Sequence, residues 1–552
     1  MDIATCVGLA SVEAAGLSRR TAWLTVPPLK VFLGLFVLHY VIIKIYRFIL
    51  YPNFVSPLRH VPGPKNLNPL LGQEYNKYTS PSPLTCSLEW SKKWPDAPFI
   101  RYLSVAGKEV LMCNSIEAYK AALQTHCYDT IKSPFYSKLV KEISGVGLLF
   151  AEGDYHKQQR RLLVGPFSVP NMRKILPLFH DKARALAGVF DDKIDDKGFG
   201  SLEVMSLLSK VTLDIIGVAS LGVELEELSG SGPGFSQHYH ELLHPGLLGR
   251  LIWITNAFVP IRGFLPLEAN RRWTNSRLQI RSMLRRQIRK RVREMDEDIT
   301  QAFPNKDRDL LTYMLEEAIS HKEETGEIPW TEDELIEHLV IFTVAGHETS
   351  ALMLTWALYA LSTDPAIQSR LRVEIMELLE KSPKPEYDDL AGLALLNNFC
   401  REVLRVYSPA MIVTRESIID LVIEGQYIPK GIQLDMPPSV MHFHPRIWGD
   451  DAHTFDPDRW DNLTGDAASP YAWEPFIQGP RQCPGKNFAL IEIKAILAAL
   501  ISRFRFIGIE KYDGSGKLMT DEEAKLGHGV KPENPSLTFS PIGGLTVRFE
   551  RI

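Results

Sequence analysis

The sequence predicts a mainly α-helical fold with small β-sheets, preceded by a single N-terminal transmembrane helix. Three observations lead there. Residues 98–113 alternate around a glycine turn as a β-hairpin does, and from residue 115 onward helical periodicity dominates. A capping box, Thr331-Glu-Asp-Glu334, opens one long helix that runs to about residue 361. Near the start, residues 31–43 are apolar, and with residues 44–51 they reach the roughly 20 residues that a membrane span needs. The chain has 552 residues, 45% hydrophobic and 23% charged, enough for one large globular domain, and it shows no internal repeat. A net charge of -4 leaves no basic excess to neutralise phosphates, which excludes a nucleic-acid partner. Six cysteines without paired spacing exclude a disulfide scaffold or a zinc site and suit a reducing compartment.

In order, the chain divides into an N-terminal segment (1–25), a membrane anchor (26–51), a proline-rich hinge (52–66) and one folded domain (67–552). Lys44 and Arg47 lie at the end of the anchor from which long cationic side chains reach the headgroups. No small-residue cleavage site follows the apolar run, so the segment reads as retained; an interfacial or a buried helix is the alternative. Proline fixes φ and lacks a donor, so Ser56 to Pro64 reads as a linker. His156 and Arg160, four apart at a basic helix start, share a face able to hold a carboxylate, or are simply solvated. Asp214 reads as structural. Residues 229–234 form a flexible loop, and residues 245–266 form an apolar, irregular stretch that is either core or a substrate entrance against the membrane. Residues 273–293 form an arginine-studded helix with a solvated face.

The long helix contains Ala345-Gly346-His347-Glu348-Thr349. An interior glycine costs roughly 1 kcal/mol against alanine, so the helix opens or is closely approached there. The acid and hydroxyl beside it, Glu348 and Thr349, can relay protons through water, whereas His347 reads as structural. Glu402 and Arg405, three apart on a helix, are within ion-pair reach. Residues 408–415 are extended, residues 421–434 read as short strands, and residues 537–540 and 545–549 read as a hairpin whose tip includes Ile542. Asn462-Leu-Thr464 is a glycosylation sequon that stays unmodified in a cytosolic domain.

The sharpest signal is Phe476-Ile-Gln-Gly479-Pro-Arg481-Gln-Cys483-Pro-Gly485, running into an apolar helix. Backbone N–H groups at a helix start converge on such a cysteine and favour its thiolate, a good axial ligand for haem iron. Gly479 and Gly485 permit a tight loop against a flat cofactor. Arg481 can pair with a haem propionate. A lone buried cysteine is the plainer alternative, but Phe, Gly, Arg, Cys and Gly in one fixed frame arise by chance on the order of 10⁻⁴.

With these residues the sequence resembles the cytochrome P-450 superfamily of haem-thiolate monooxygenases, particularly fungal microsomal members. Every specified position of that family's Phe-x-x-Gly-x-Arg-x-Cys-x-Gly signature is met. The resemblance implies haem b with Cys483 as the iron's axial thiolate ligand, and Glu348 and Thr349 as the proton relay. It implies Ala345 and Gly346 as the haem-facing wall, and Arg160 and Arg415 as propionate partners. Where the family has Trp-x-x-x-Arg, this sequence has His156. By resemblance Glu402, Arg405 and Arg459 brace the haem pocket, and Ala410, Met411, Ile412 and Val413 line the substrate pocket. The resemblance also implies an endoplasmic reticulum membrane protein, single-pass, with its catalytic domain cytosolic. No flavin- or nicotinamide-binding segment is left over, so electrons come from a separate NADPH-cytochrome reductase, with cytochrome b5 as a second donor. The expected reaction is hydroxylation or epoxidation of an apolar, terpenoid-like secondary metabolite. The alternatives are a fatty-acid hydroxylase, a haem-thiolate isomerase or dehydratase, and a haem carrier or sensor.

Overall fold

The structure, a computed structural model, describes residues 2–20, 27–66, 68–232, 234–243, 245–298, 309–512, 517–534 and 538–552. The helices that position the site are α1 (Asp2–Arg20), α2 (Pro28–Ile45), α3 (Gly153–Leu163), α4 (Val169–Asp191), α5 (Val204–Leu221), α6 (Gly246–Phe258), α7 (Glu268–Asp298), α8 (Glu332–Thr363), α9 (Ala394–Val406) and α10 (Lys486–Ile501). The capping box that starts α8 is formed: Glu334 N–H donates to Thr331 Oγ1 at 3.3 Å and Thr331 N–H to Glu334 Oε2 at 2.8 Å. From Ser350 to Ser362 every residue of α8 is buried, so its second half is an axis of the core. α5 lies along it, with Thr212 Oγ1 donating to His347 O at 3.0 Å. α4 and α10 pack together through Phe179 and Phe488, edge to face at 5.0 Å. α5 and α8 are long and apolar enough to cross a membrane, but their side chains are mostly buried within the protein, which makes them core helices.

Strands β1 (Phe99–Leu103), β2 (Glu109–Cys113), β3 (Thr130–Lys132), β4 (Phe199–Glu203), β5 (Val413–Ser417), β6 (Leu421–Ile423), β7 (Gln426–Ile428), β8 (Gln433–Met436), β9 (Phe504–Glu510) and β10 (Thr546–Arg551) form three small sheets. Their orders are β1-β2-β8-β5-β3, β4-β10-β9 and β6-β7. β1 and β2 are the expected hairpin, paired from Phe99 with Cys113 to Leu103 with Glu109. The expected C-terminal hairpin does not form. β10 pairs with β4 and β9 instead, where Phe549 meets Phe190 of α4 at 4.8 Å, and Thr538 bridges to Ala410. Residue 537 lies outside the described residues.

Two other segments are more ordered than the sequence suggests. Residues 245–266 contain a regular helix, α6, in which Gly249 lets Pro245 close on the backbone: a Cβ there would lie 2.6 Å from Pro245 Cβ. α2 continues as a π-helical turn (Tyr46–Val55) through Pro52, and the proline-rich stretch after it is seated on the β1–β2 hairpin. Arg101 Nη2 donates to Pro52 O at 2.5 Å, Arg101 N–H to Pro62 O at 2.8 Å and Ser56 Oγ to Glu109 Oε1 at 2.6 Å. A Cβ on Gly63 would fall 1.7 Å from Arg101 O, so only glycine fits there. Prolines that cannot pair with one another leave their carbonyls for β1 to satisfy.

Candidate active site

The Cys483 loop is held by its backbone. Cys483 N–H donates to Phe476 O at 2.9 Å, and Ile477 and Gly479 take left-handed conformations, with φ of 48° and 78°. A β-branched residue there is strained by about 1–3 kcal/mol, which the surrounding contacts must offset. Gly479 is required by protein: its Cβ would lie 2.4 Å from Leu123 O. Gly485 leaves the sulfur open, since the nearest atom to its Cβ would be Cys483 Sγ at 3.9 Å. Phe476 packs against Trp473, ring centres 5.9 Å apart. Among the described residues the other cysteines are fully buried, while Cys483 keeps part of its surface. Burial pushes the Cys483 thiol up, against the Gly485 N–H, Arg160 and Lys486, which pull it down. The loop alone therefore does not make the thiolate expected from the helix start; ligation by a metal deprotonates a thiol outright.

Around this loop the structure gathers cations. Arg160 Nη1 donates to Gln482 O at 2.5 Å. Arg481 donates to Ala151 O at 2.8 Å and pairs with Glu152. Arg415, fully buried, reaches Glu152 only at 3.9 Å. Lys132 joins them, and its ammonium is pushed well below the usual lysine range by burial and then by Arg415 and Arg481. His156 is buried with Nδ1 3.2 Å from Tyr128 Oη, and burial followed by Arg481 and Lys132 pushes it down to about 3, so it is neutral. Two guanidinium groups, of Arg415 and Arg481, and the Lys132 ammonium thus share the Glu152 carboxylate, with Arg160 on the loop backbone beside them. Arg415 Nε and Nη1 and Arg481 Nε have no hydrogen-bond partner. Buried, unpaired donors of this kind cost several kcal/mol unless anions meet them, and the two propionates of a haem are such anions. The residues present therefore fit haem.

α8 supplies another surface. Just ahead of its buried second half, Ala345 is exposed and Gly346, Glu348 and Thr349 are part-exposed. Ala345 opens a strip against which a flat cofactor fits. Gly346 does something else: its Cβ would lie 2.8 Å from Ile216 Cδ1, so it admits α5. Thr349 Oγ1 donates to Ala345 O at 2.6 Å. Glu348 is pushed up by burial, and Thr538 Oγ1 donates to its Oε1 at 3.1 Å. His347 is buried, with Nδ1 2.9 Å from Thr343 O and its ring edge-on to Tyr239 at 4.5 Å. Deeper in α10, Glu492 is buried beside Ser350 and pushed up to about 8 by burial.

Glu402, Arg405 and Arg459 meet as a closed cluster. Arg405 forks onto Glu402 at 2.7 and 2.8 Å and gives its remaining donors to His442 O, Ala452 O and Thr454 O. Glu402 also accepts from Arg459 Nε at 3.1 Å, Trp460 Nε1 at 3.0 Å and Asp456 N–H at 2.8 Å. Asp214 accepts the N–H groups of Glu227 and Leu228, a structural role. Of the expected pocket residues, Ala410, Ile412 and Val413 are half-buried, whereas Met411 is packed into the main core and Ile542 is exposed, with its N–H on Lys531 O at 2.8 Å. The hairpin expected to carry Ile542 does not form, since β10 pairs with β4 and β9. Lys132, Glu152 and Thr538 were not legible as site residues, since no local spacing marks them.

Comparison with known proteins agrees with this geometry. The family model described as cytochrome P450 matches residues 98–539. The chain is 31% identical over 517 residues to cytochrome P450 monooxygenase sphH of Aspergillus fumigatus, covering 91% of each protein. It is 28% identical over 560 residues to cytochrome P450 monooxygenase FUM15 of Gibberella moniliformis, covering 91% of this chain and 90% of that one. To cytochrome P450 72A15 of Arabidopsis thaliana it is 30% identical over 364 residues, 65% and 67% of the two chains.

Proposed function

We propose that this chain, which belongs to the cytochrome P450 family and is a haem-thiolate monooxygenase, hydroxylates or epoxidises an apolar, terpenoid-like secondary metabolite with electrons from NADPH through a separate reductase. When bound, haem supplies the iron centre at which dioxygen is reduced and one of its atoms is passed to substrate. The observation that carries the assignment of residues is the excess of buried cationic donors beside an open Cys483.

In this reading Cys483 would ligate the haem iron, Phe476, Arg481 and the loop glycines would shape its side of the site, and Arg415, Arg481 and Arg160 would hold the propionates. Ala345, exposed on α8, would face the bound haem. His156 stays neutral and supports the cluster through Tyr128. Glu348, its carboxyl held protonated more readily by burial, would be the proton store, and Thr349 the hydroxyl that passes the proton on. Neighbours on a helix point about 100° apart, so a water must pass the proton between them. Glu402, Arg405 and Arg459 brace the site from beneath. Ala410, Ile412 and Val413 offer an apolar, half-buried wall suited to a hydrocarbon substrate. α2 anchors the protein in the endoplasmic reticulum membrane with the catalytic domain cytosolic, where NADPH-cytochrome reductase and cytochrome b5 dock, and the exposed leucines of α6 (Leu247, Leu248, Leu251) rest on the same bilayer. A fatty acid is the second substrate class for the same wall.

The test is oxidation of a panel of terpenoids, fatty acids and charged metabolites by the purified enzyme with reductase and NADPH, wild type beside Thr349→Ala. Conversion of terpenoids, with Thr349→Ala diverting most NADPH electrons to peroxide, is expected. Turnover confined to charged compounds, or unchanged coupling in Thr349→Ala, would contradict the assignment.

A further inference from the structure

The segment before the anchor is itself a helix, and it is packed along the anchor. α1 has 19 residues, about 28 Å of helix; its apolar part, Ile3–Leu17, covers about 22 Å, so it reaches across a ~30 Å hydrocarbon core with local thinning of the bilayer. Its connection to α2 is seven residues long, too short for anything but an antiparallel pair when the two lie side by side. The faces in contact are complementary. On α1, Cys6, Ala10 and Ala14 are buried at four-residue spacing; on α2, Phe32, Leu35, Phe36, His39 and Ile43 are half-buried at helical spacing. Small residues on one helix admit the large ones of the other, which is how helices associate in lipid, where there is no hydrophobic drive between them.

Facing away from that contact, α2 presents Val37, Val41 and Ile45, and α1 presents the uncharged residues Thr5, Gly8, Val12 and Ala15. Between residues 3 and 17 the only ionisable carboxylate is Glu13, and it does not stand alone. Glu13 Oε2 lies 2.9 Å from His39 Nε2 across the helix pair, the arrangement that lets polar groups sit at membrane depth. From these observations we propose that α1 and α2 both cross the bilayer as a helical hairpin, α1 facing lipid acyl chains along its outer side. Residues preceding α1 are then on the same, cytosolic, side as the catalytic domain, and only the 21–27 connection reaches the lumen. This replaces the single crossing expected from hydropathy and rests on the reading that α2 spans the membrane with the domain cytosolic.

The native sequon supplies an internal reporter, because Asn462 is exposed on the catalytic domain. In full-length protein expressed in microsomes, an Asn-Gly-Thr acceptor on a flexible spacer is placed either ahead of Asp2 or between α1 and α2, with the visible CO-difference spectrum confirming that each form is folded. The hairpin predicts glycosylation of the middle acceptor alone. Glycosylation ahead of Asp2 as well would overturn the hairpin and leave the anchor and cytosolic domain intact. Absence of glycosylation at the middle acceptor, or modification of Asn462, would overturn the hairpin together with the anchoring and orientation it rests on.

Discussion

Two buried clusters of arginine and glutamate sit in this protein, and they are wired in opposite ways. In the Glu402–Arg405–Arg459 cluster every donor of Arg405 has a partner and one carboxylate accepts from two arginines, an indole and a backbone N–H. Around Glu152, two arginines and Lys132 share a single carboxylate and leave guanidinium nitrogens unpaired. The first cluster is complete without a ligand and therefore reads as structure. The second is complete only when anions arrive, and its stability in the absence of haem is correspondingly poor. The pairing state of a buried charge, more than its burial, separates bracing from binding.

The comparison breaks most visibly at Arg405. Arg405→Ala leaves buried Glu402 with Arg459 as its remaining cation and strips the guanidinium from the carbonyls of His442, Ala452 and Thr454, at a cost of about 3–5 kcal/mol; we expect little soluble protein and no haem absorbance, with circular dichroism and the Soret band as measurements. Arg415→Ala should behave in the opposite sense. Removing a buried, unpaired guanidinium leaves the haem-free protein at least as heat-stable as wild type, while loss of one charge-assisted contact of roughly 1.5–3 kcal/mol lowers haem affinity by about ten- to a hundredfold, read by haem transfer to an acceptor protein.

A third buried charge sharpens the rule. Glu492 lacks a strong partner and is pushed up to about 8 by burial. Its folded value lies above the usual carboxylate range, so its contribution to stability is full below about pH 4.5 and is lost as pH rises through about 8. Glu492→Gln should therefore flatten the fall in melting temperature between pH 5.5 and pH 8.5. The smallest effect is expected at His156. It is neutral, so His156→Phe should cost about 1 kcal/mol through the lost Tyr128 hydrogen bond and leave haem affinity unchanged.

Much of the site could be read from the chain because its parts are local. The Cys483 loop, the α8 cap and the Glu402/Arg405 spacing are each written within ten residues, and backbone rules act at that range. The missing parts are long-range. Lys132 and Glu152 meet Arg481 across more than 300 positions, and Thr538 reaches Glu348 across 190. Pro541 to Gly544 carries a strong turn signal, yet β10 finds better partners in β4 and β9, where Phe549 is buried against Phe190. Gly346 and Gly479 were read as room for a cofactor, whereas their missing side chains make room for Ile216 and for the Leu123 backbone. A glycine announces a close approach without naming what approaches.

The central claim is that Cys483 ligates haem iron as a thiolate. The visible spectrum of the dithionite-reduced protein with CO, wild type beside Cys483→Ser, tests it directly. A strongly red-shifted Soret band in the wild type, absent from Cys483→Ser, is the predicted result. An imidazole-type CO spectrum in the wild type, or an unchanged red-shifted band in Cys483→Ser, would contradict the account.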